Sequence, residues 1–416
     1  MSNPNFNEND IHHPVVAQEG MVASQEALAT QAGVEILRQG GNAADAAIAV
    51  GFALAVTLPR AGNIAGGGNL MVFTQASGGV ATLDYREQAP AAAQATMFQS
   101  RDGKVEAERA WSTHEGVAVP GTVRALYALH ERHGSLPMPE LIAPSIRLAR
   151  EGFIVWPELS WHLGLYASLL RRNAATRAIF LRPDGEPWAA GERLLQQDLA
   201  NSLEAIAAGG AAVFHGGSVG QAITADMRKH GGHITEEDLA AFTAVWREPL
   251  RSSYRGHEVV SIPPSSSGGL CLLLMLNMLE GYDVAGLGAQ TAGGLHLLSE
   301  VMRRAYAERS DQLGDPAFWD NPVDKLLSKD FAAELARGID PAAATPSLQL
   351  KTAPGYVEPG SETTSYTIVD RQGNCVVNTY SLNANYGSGI VALGTGILLN
   401  NCMHNFPFKI GEVSVR

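Results

Sequence analysis

The amino-terminal part of the chain has hydrophobic positions at helical spacing. Residues 24–39 predict a helix, with Ser24 as its N-cap and Gly40 just after its end. Asn42 is placed to cap a second helix, which includes the apolar run 46–58. This run is too short to cross a bilayer, so it predicts a helix buried inside the protein.

A glycine run and two strands are predicted next. The three glycines 66–68 precede an apolar stretch, 70–75, that predicts a strand. Residues 80–86 alternate between apolar and polar side chains and predict a second strand, ending on Arg86. The glycines fit neither phosphate-binding pattern, GxGxxG or GxxxxGK[ST], and therefore predict a close-packed turn.

The middle of the chain, about 120–250, predicts mainly helices. They cover 121–134, 139–152, 195–210 and 236–244. A strand is predicted at 257–263, followed by a serine-rich turn at 265–267 and two further helices at 270–281 and 292–314.

Strands dominate the carboxyl-terminal part. Residues 341–362 lack periodicity, are rich in Pro, Ala, Ser and Gly, and predict an exposed linker. Residues 364–370 and 375–382, joined by a turn, predict a hairpin. The adjacent hydroxyls of Thr363 and Thr364 stand where this linker meets the first strand.

Composition narrows the class of protein. The 416 residues are 45% hydrophobic and 17% charged, which provides for a sizeable core and excludes global disorder. A net charge of −12 argues against nucleic-acid binding. The cysteines Cys271, Cys375 and Cys402 are too scattered for a disulfide scaffold or zinc knuckle. We expect no metal or organic cofactor.

The amino-terminal sequence has neither a basic segment nor an apolar segment of the secretory kind. We therefore expect a protein without a membrane partner, cytoplasmic as the sequence is written. If a leader has been removed, we expect a periplasmic or secreted protein instead.

Thr363 is one candidate nucleophile. A threonine hydroxyl needs a base, and a threonine that begins a chain can use its own α-amine, whose pKa is about 7.7–8.0. Because Thr363 is internal, the Glu362–Thr363 peptide bond must first be cut. A flexible loop can present the Glu362 carbonyl to the Thr363 hydroxyl for that step. The residues alone favour ordinary β propensity over a catalytic role for this threonine pair.

Ser218 is a second candidate, in the GxSxG pattern at 216–220. Residues 211–215 predict a short strand and 221–230 a helix, the context that a nucleophile elbow requires. That fold also needs a series of strands before the elbow, whereas this region predicts helices. A serine that caps a helix after a glycine turn is the plainer alternative.

Several segments together resemble the γ-glutamyltranspeptidase family of N-terminal-nucleophile hydrolases. The resemblance extends from about His13 to Phe406. The matching segments are 20–57, 62–69, 84–90, 118–123, 260–269, 314–316, 363–374 and 379–401.

This resemblance implies an α+β protein with an αββα sandwich, made as a proenzyme that cleaves itself into two subunits. Residues 1–362 would form the helix-rich large-subunit region, in which 340–362 is a flexible linker before the cleavage site. Residues 363–416 would form the amino-terminal part of the strand-rich small subunit.

The resemblance also implies roles for single residues. Thr363 matches the nucleophile and, once freed, supplies the α-amine base. Arg86 matches the arginine that binds the substrate α-carboxylate, a role suited to a bidentate guanidinium. Ser381 matches a threonine whose hydroxyl contacts the nucleophile, and Asn383 matches an asparagine of the glutamyl pocket.

The implied reaction is ping-pong. Thr363 takes the acyl group from glutathione or another γ-glutamyl amide, and water or an amine then accepts it. No cofactor is implied, and the expected partners are these small molecules and the two subunits of one precursor.

Two positions depart from the family in the part that receives the substrate ammonium. Cys402 stands where the family has an amide or acid, and Asn405 stands where it has an aspartate. Loss of a charge-assisted hydrogen bond costs about 1.5–3 kcal/mol, or roughly 10- to 100-fold in affinity. An acylase of the same family, removing glutaryl-type side chains as cephalosporin acylases do, is therefore an alternative.

The segment 363–416 is shorter than the small subunit of the family. It lacks the serine pair that helps to hold the carboxylate and the glycine pair that supplies the oxyanion hole. We therefore expect the carboxyl-terminal part of the small subunit to be missing, and a non-catalytic truncated homologue is a third alternative.

Overall fold

The computed structural model describes residues 15–288, 290–350 and 363–406. In these residues the main sheet has six antiparallel strands. They are β1 (Met21–Ala23), β2 (Gly67–Thr74), β3 (Gly79–Asp84), β4 (Val245–Arg247), β5 (Thr364–Val369) and β6 (Cys375–Ser381). Their order across the sheet is β1–β5–β6–β2–β3–β4, so the hairpin that follows Thr363 lies inside the sheet.

The predicted strand boundaries need two corrections. Strand β3 ends at Asp84, so Arg86 lies two residues beyond it. Gly67 and Gly68 belong to β2 and do not form a turn. The hairpin is confirmed, with Thr364 opposite Tyr380 and Cys375 opposite Val369.

A fully buried helix, Ala43–Thr57, packs against the sheet. Asn42 caps it as predicted, in a capping box with Asp45. The Tyr380 hydroxyl donates to the carbonyl oxygen of Gly51 at 2.9 Å, which joins β6 to the middle of this helix. The many alanines permit this close approach, because larger side chains would hold the helix away from the strands.

The first helix is Ala27–Arg38, and its cap differs from the prediction. The Glu26 carboxylate accepts hydrogen bonds from the amides of Leu28 at 2.9 Å and Ala29 at 2.8 Å. Ser24 instead pairs its hydroxyl with that of Thr30. The helix therefore begins two residues later than predicted, with Glu26 as its N-cap.

The middle of the chain is helical, as predicted. Its helices are Ala107–Ser112, Thr122–His133, Met138–Glu151, Pro157–Leu165, Ala167–Leu170, Ala174–Phe180, Gln197–Gly209, Ala211–His215, Ser218–His230 and Glu236–Ala241. A short strand pair, Phe153–Ile154 with Arg193–Leu194, joins two of its loops.

A second hydrophobic core lies between residues 250 and 339. It is formed by a hairpin and five helices. The hairpin pairs Leu250–Tyr254, which the sequence analysis missed, with His257–Ser261. The helices are Gly268–Leu279, Val284–Leu287, Ala292–Gln312, Val323–Leu327 and Lys329–Arg337.

The start of the predicted linker is tied to this second core. The Thr345 hydroxyl donates to the buried carboxylate of Glu300, which also pairs with Arg304. The other linker residues, 351–362, lie outside the described residues, and so does Glu362. No helix in the described part of the chain combines the length and apolarity that a membrane span requires.

Candidate active site

The predicted nucleophile and the predicted carboxylate-binding arginine lie in one row across the sheet. Thr364 pairs with Tyr380, so the same register continued by one residue sets Thr363 opposite Ser381. Ser381 in turn pairs with Gly67. The amide of Tyr85 donates to the carbonyl of Gly68 at 3.0 Å, which extends the β2–β3 ladder and brings Arg86 opposite Gly67.

Glycines allow this row to form. A Cβ on Gly68 would lie 2.2 Å from the carbonyl oxygen of Thr379, and one on Gly67 would lie 2.5 Å from that of Tyr85. Any other residue would push the neighbouring strands apart. The close packing predicted for these glycines is therefore found, but within a strand.

The row opens into a cavity with a volume of about 360 Å³. Five of the predicted site residues line it together, although they come from distant parts of the sequence. They are Arg86, Thr363, Ser381, Cys402 and Asn405.

Asn383 is not among the described residues that line this cavity. Its side-chain amide donates to the backbone carbonyl of Asn401 at 3.2 Å and to the side-chain oxygen of Asn401 at 3.0 Å. Its backbone amide donates to the Ser381 hydroxyl oxygen at 2.7 Å. Asn383 therefore positions Ser381 and the segment before Cys402, and it does not itself face the cavity.

Arg86 lines the cavity, and its charge acts on the neighbouring Glu87 carboxylate; no hydrogen bond or ion pair joins its guanidinium to another residue in the described ranges. The nearby Asp84 carboxylate is instead engaged by Arg247 at 2.8 Å and by the Ser265 hydroxyl at 3.0 Å. A structural salt bridge thus does not account for Arg86, and its charge is available to a ligand in the cavity.

Glu87 also lines the cavity, although the sequence patterns did not predict it. Its carboxylate accepts a hydrogen bond from the Cys402 thiol at 2.9 Å. Burial raises the pKa of Glu87, although the charge of Arg86 opposes that shift. Burial, together with the Glu87 charge, raises the pKa of the Cys402 thiol well above its usual range, so this thiol remains protonated. The sequence contained one signal for Glu87, which is its position directly after Arg86.

The cavity thus has one cationic and one acidic side chain, adjacent in sequence, among its described lining residues. Ser266 and Thr379 also line it and were not predicted. Ser266 belongs to the serine-rich turn, which the sequence analysis interpreted only as a connection. A zwitterionic or anionic small molecule fits the charges of such a pocket.

Comparison with known proteins decides the family. A family model described as gamma-glutamyltranspeptidase matches residues 29–415. The chain belongs to the γ-glutamyltranspeptidase family. It is 43% identical to the glutathione hydrolase proenzyme of Escherichia coli (strain K12) over 411 residues, which cover 98% of this chain and 70% of that protein.

Solved structures of the family share the fold. The γ-glutamyltranspeptidase of Helicobacter pylori has a TM-score of 0.79 at 37% identity, covering 85% of this chain and all of that chain. The cephalosporin acylase of Bacillus halodurans has a TM-score of 0.86 at 31% identity, covering 99% of this chain and 75% of that chain. The prediction of an α+β N-terminal-nucleophile hydrolase fold is confirmed, and the chain belongs to an enzyme family.

The alternative nucleophile Ser218 lacks the structural context that it needs. Residues Ala211–His215 form a helix and not the predicted strand. Ser218 is the first residue of the helix Ser218–His230, and Gly217 takes the N-cap position. Both the nucleophile-elbow prediction and the serine-cap prediction are therefore wrong.

Proposed function

We propose that this chain cleaves itself at Glu362–Thr363 and then acts as a γ-glutamyl hydrolase and transferase through Thr363. The observation that supports this most is the row formed by Thr363, Ser381 and Arg86 at one end of the sheet. It brings a hydroxyl that directly precedes a strand into the same small cavity as the Arg86 guanidinium.

The chemistry follows from a threonine at a chain terminus. After cleavage, the Thr363 α-amine, with a pKa of about 7.7–8.0, accepts the proton of the Thr363 hydroxyl. The oxygen attacks the amide carbonyl, the C–N bond breaks, and the leaving amine takes up that proton. Water or a second amine then attacks the ester in the reverse sense and frees Thr363.

The pocket suits a γ-glutamyl group. Arg86 binds the α-carboxylate, for which its planar guanidinium offers two parallel donors. Glu87 receives the α-ammonium, together with the amide oxygen of Asn405. The ammonium compensates the burial of the Glu87 carboxylate, since an ion pair replaces the solvent that the carboxylate has lost.

A glutaryl acylase is the second candidate. Cys402 and Asn405, which face the cavity, are both uncharged at neutral pH, and the Cys402 thiol already occupies one oxygen of Glu87. The structural neighbour from Bacillus halodurans is itself named a cephalosporin acylase. A glutaryl group would use Arg86 and leave Glu87 without a ligand.

Hydrolysis of γ-glutamyl and glutaryl p-nitroanilide by the same preparation tests the proposal. We expect kcat/KM to be at least about tenfold higher for the γ-glutamyl compound, since one charge-assisted bond is worth that much. The reverse preference would establish the acylase. Thr363→Ala should lose both activities and Thr363→Ser should keep part of each, whereas activity in Thr363→Ala would contradict the role of Thr363.

A further inference from the structure

Three metal-ligating side chains meet on the side of the molecule formed by the helix Ser218–His230. Asp226 and His230 are four residues apart on this helix, so they share one face. His114 reaches them from a short 3-10 turn, His114–Gly116, that is distant in sequence. Neither the sequence spacing nor the cavity described above points to this cluster.

The two distances that join a histidine nitrogen to the Asp226 carboxylate are close to those of a metal site. The His114 Nε2 atom lies 3.1 Å from Asp226 Oδ2, and the His230 Nδ1 atom lies 3.2 Å from Asp226 Oδ1. All three ligand atoms lie within 4.8 Å of one another. Tetrahedral zinc, with bonds of about 2.0–2.2 Å, places its ligand atoms about 3.3–3.6 Å apart.

The cluster is arranged before any ion binds. His114 is 8% exposed and Asp226 is 5% exposed, so their side chains have little freedom to lose. The His114 and His230 rings stack with centroids 4.7 Å apart, which orients both on the same carboxylate. The His230 side chain is 40% exposed and leaves a path for an ion from solvent.

We propose that His114, Asp226 and His230 form a binding site for one divalent ion of the zinc class. Two imidazoles and one carboxylate suit zinc and its neighbours better than calcium or magnesium, which prefer oxygen ligands alone. Water completes the coordination on the open side.

The consequence of binding is structural. The turn at His114 follows Trp111, whose carbonyl oxygen accepts a hydrogen bond from the Asn401 side chain at 3.0 Å. The Trp111 ring also packs edge-on against His404, with centroids 4.8 Å apart. An ion that fixes His114 to the helix Ser218–His230 therefore stabilises the segment next to Cys402 and Asn405, and it takes no part in the reaction.

In the absence of a metal ion, the same nitrogens form hydrogen bonds: His114 Nε2 with the Asp226 carboxylate, and His230 Nδ1 with the backbone carbonyl oxygen of Asp226 at 3.1 Å. The two states differ in one measurable respect, which is the response to added metal. Zinc that binds displaces the protons of these hydrogen bonds and raises the unfolding temperature. If the cluster only forms hydrogen bonds, added zinc leaves the unfolding temperature unchanged.

Zinc titration of the chelator-treated full chain, by calorimetry and by thermal melting, tests the site. The test variants are His230→Ala and His230→Gln. His233→Ala is the matched control, because it removes a nearby histidine that does not belong to the cluster. Cobalt is a second probe, because its visible absorption reports the coordination geometry.

We expect the wild type to bind zinc with a raised unfolding temperature, and His233→Ala to match it. Both His230 variants should bind at least about tenfold more weakly and lose the thermal shift. Melting curves without metal show whether these variants are folded. Absence of zinc binding in the wild type, or equal binding in folded His230 variants, would overturn the proposal.

Discussion

At the scale of single residues, the two adjacent side chains Arg86 and Glu87 give the cavity its opposite charges. The charge of Arg86 acts on the Glu87 carboxylate, which accepts its hydrogen bond from the Cys402 thiol. Each can therefore bind one charged group of a substrate. Their separate contributions are measurable with substitutions that keep shape or charge.

Arg86→Lys keeps the positive charge but loses the two parallel donors. We expect kcat/KM for γ-glutamyl p-nitroanilide to fall about 10- to 100-fold, which corresponds to about 1.5–3 kcal/mol for a hydrogen bond to a charged group. Self-cleavage should continue, because it does not use the substrate carboxylate. Steady-state kinetics check the loss of activity, and an intact-mass measurement checks self-cleavage. An unchanged kcat/KM would show that Arg86 does not bind the substrate carboxylate.

Glu87→Gln removes the acidic partner of the substrate ammonium while keeping an acceptor for Cys402. We expect a loss of about 10- to 100-fold in kcat/KM for the γ-glutamyl amide, and little change for the glutaryl amide. Equal losses on both substrates would show that Glu87 acts only on the fold.

The pH profile gives a second test of Glu87. Burial raises its pKa above the ordinary value of 4.5, so the carboxylate is protonated at a higher pH than an exposed one. Activity of the wild type on the γ-glutamyl amide should therefore decline as the pH falls through that raised pKa. The Glu87→Gln profile should lack this limb, and identical profiles would contradict the assignment.

At the scale of elements, the pairing of β2 with β6 requires Gly68. In Gly68→Ala the new Cβ would meet the Thr379 backbone, so we expect a loss of about 1–3 kcal/mol or more in stability and impaired cleavage. Gly164→Ala is the matched control, since a Cβ there meets nothing within 4 Å and lies in a helix. Chemical denaturation checks both, and equal stabilities would contradict the packing argument.

The elements that sequence patterns predicted well are those with strong periodicity or caps. The buried helix after Asn42 and the hairpin after Thr363 were found where apolar runs and turn residues indicated. The pattern failed at Ala211–His215, a helix too short for helical periodicity to distinguish it from a strand. The strand Leu250–Tyr254 was missed because its half-exposed polar residues resemble a loop.

Only part of the site could be predicted from the sequence. Arg86, Thr363 and Ser381 followed from a family resemblance, whereas the residues alone left Thr363 as an ordinary strand residue. Glu87 needed the fold, because its contact with Cys402 joins positions 315 residues apart. The cluster of His114 with Asp226 needed it for the same reason, since these positions are 112 residues apart.

At the scale of the whole molecule, the residues on either side of the proposed cleavage site share one sheet. Strand β5 pairs with β1, and β6 pairs with β2, so both strands after Thr363 are held by strands that precede it. We expect the two pieces to co-elute in size-exclusion chromatography after cleavage and to separate only in denaturant. Separation under native conditions would contradict this shared sheet.

The most direct test of the account is the intact mass of the purified protein after incubation at neutral pH, beside that of Thr363→Ala. We predict two fragments that join at Glu362 and Thr363 in the wild type, and a single unbroken chain in the variant. An unbroken wild-type chain, or a variant that is cut at the same bond, would contradict the central claim that Thr363 is the nucleophile.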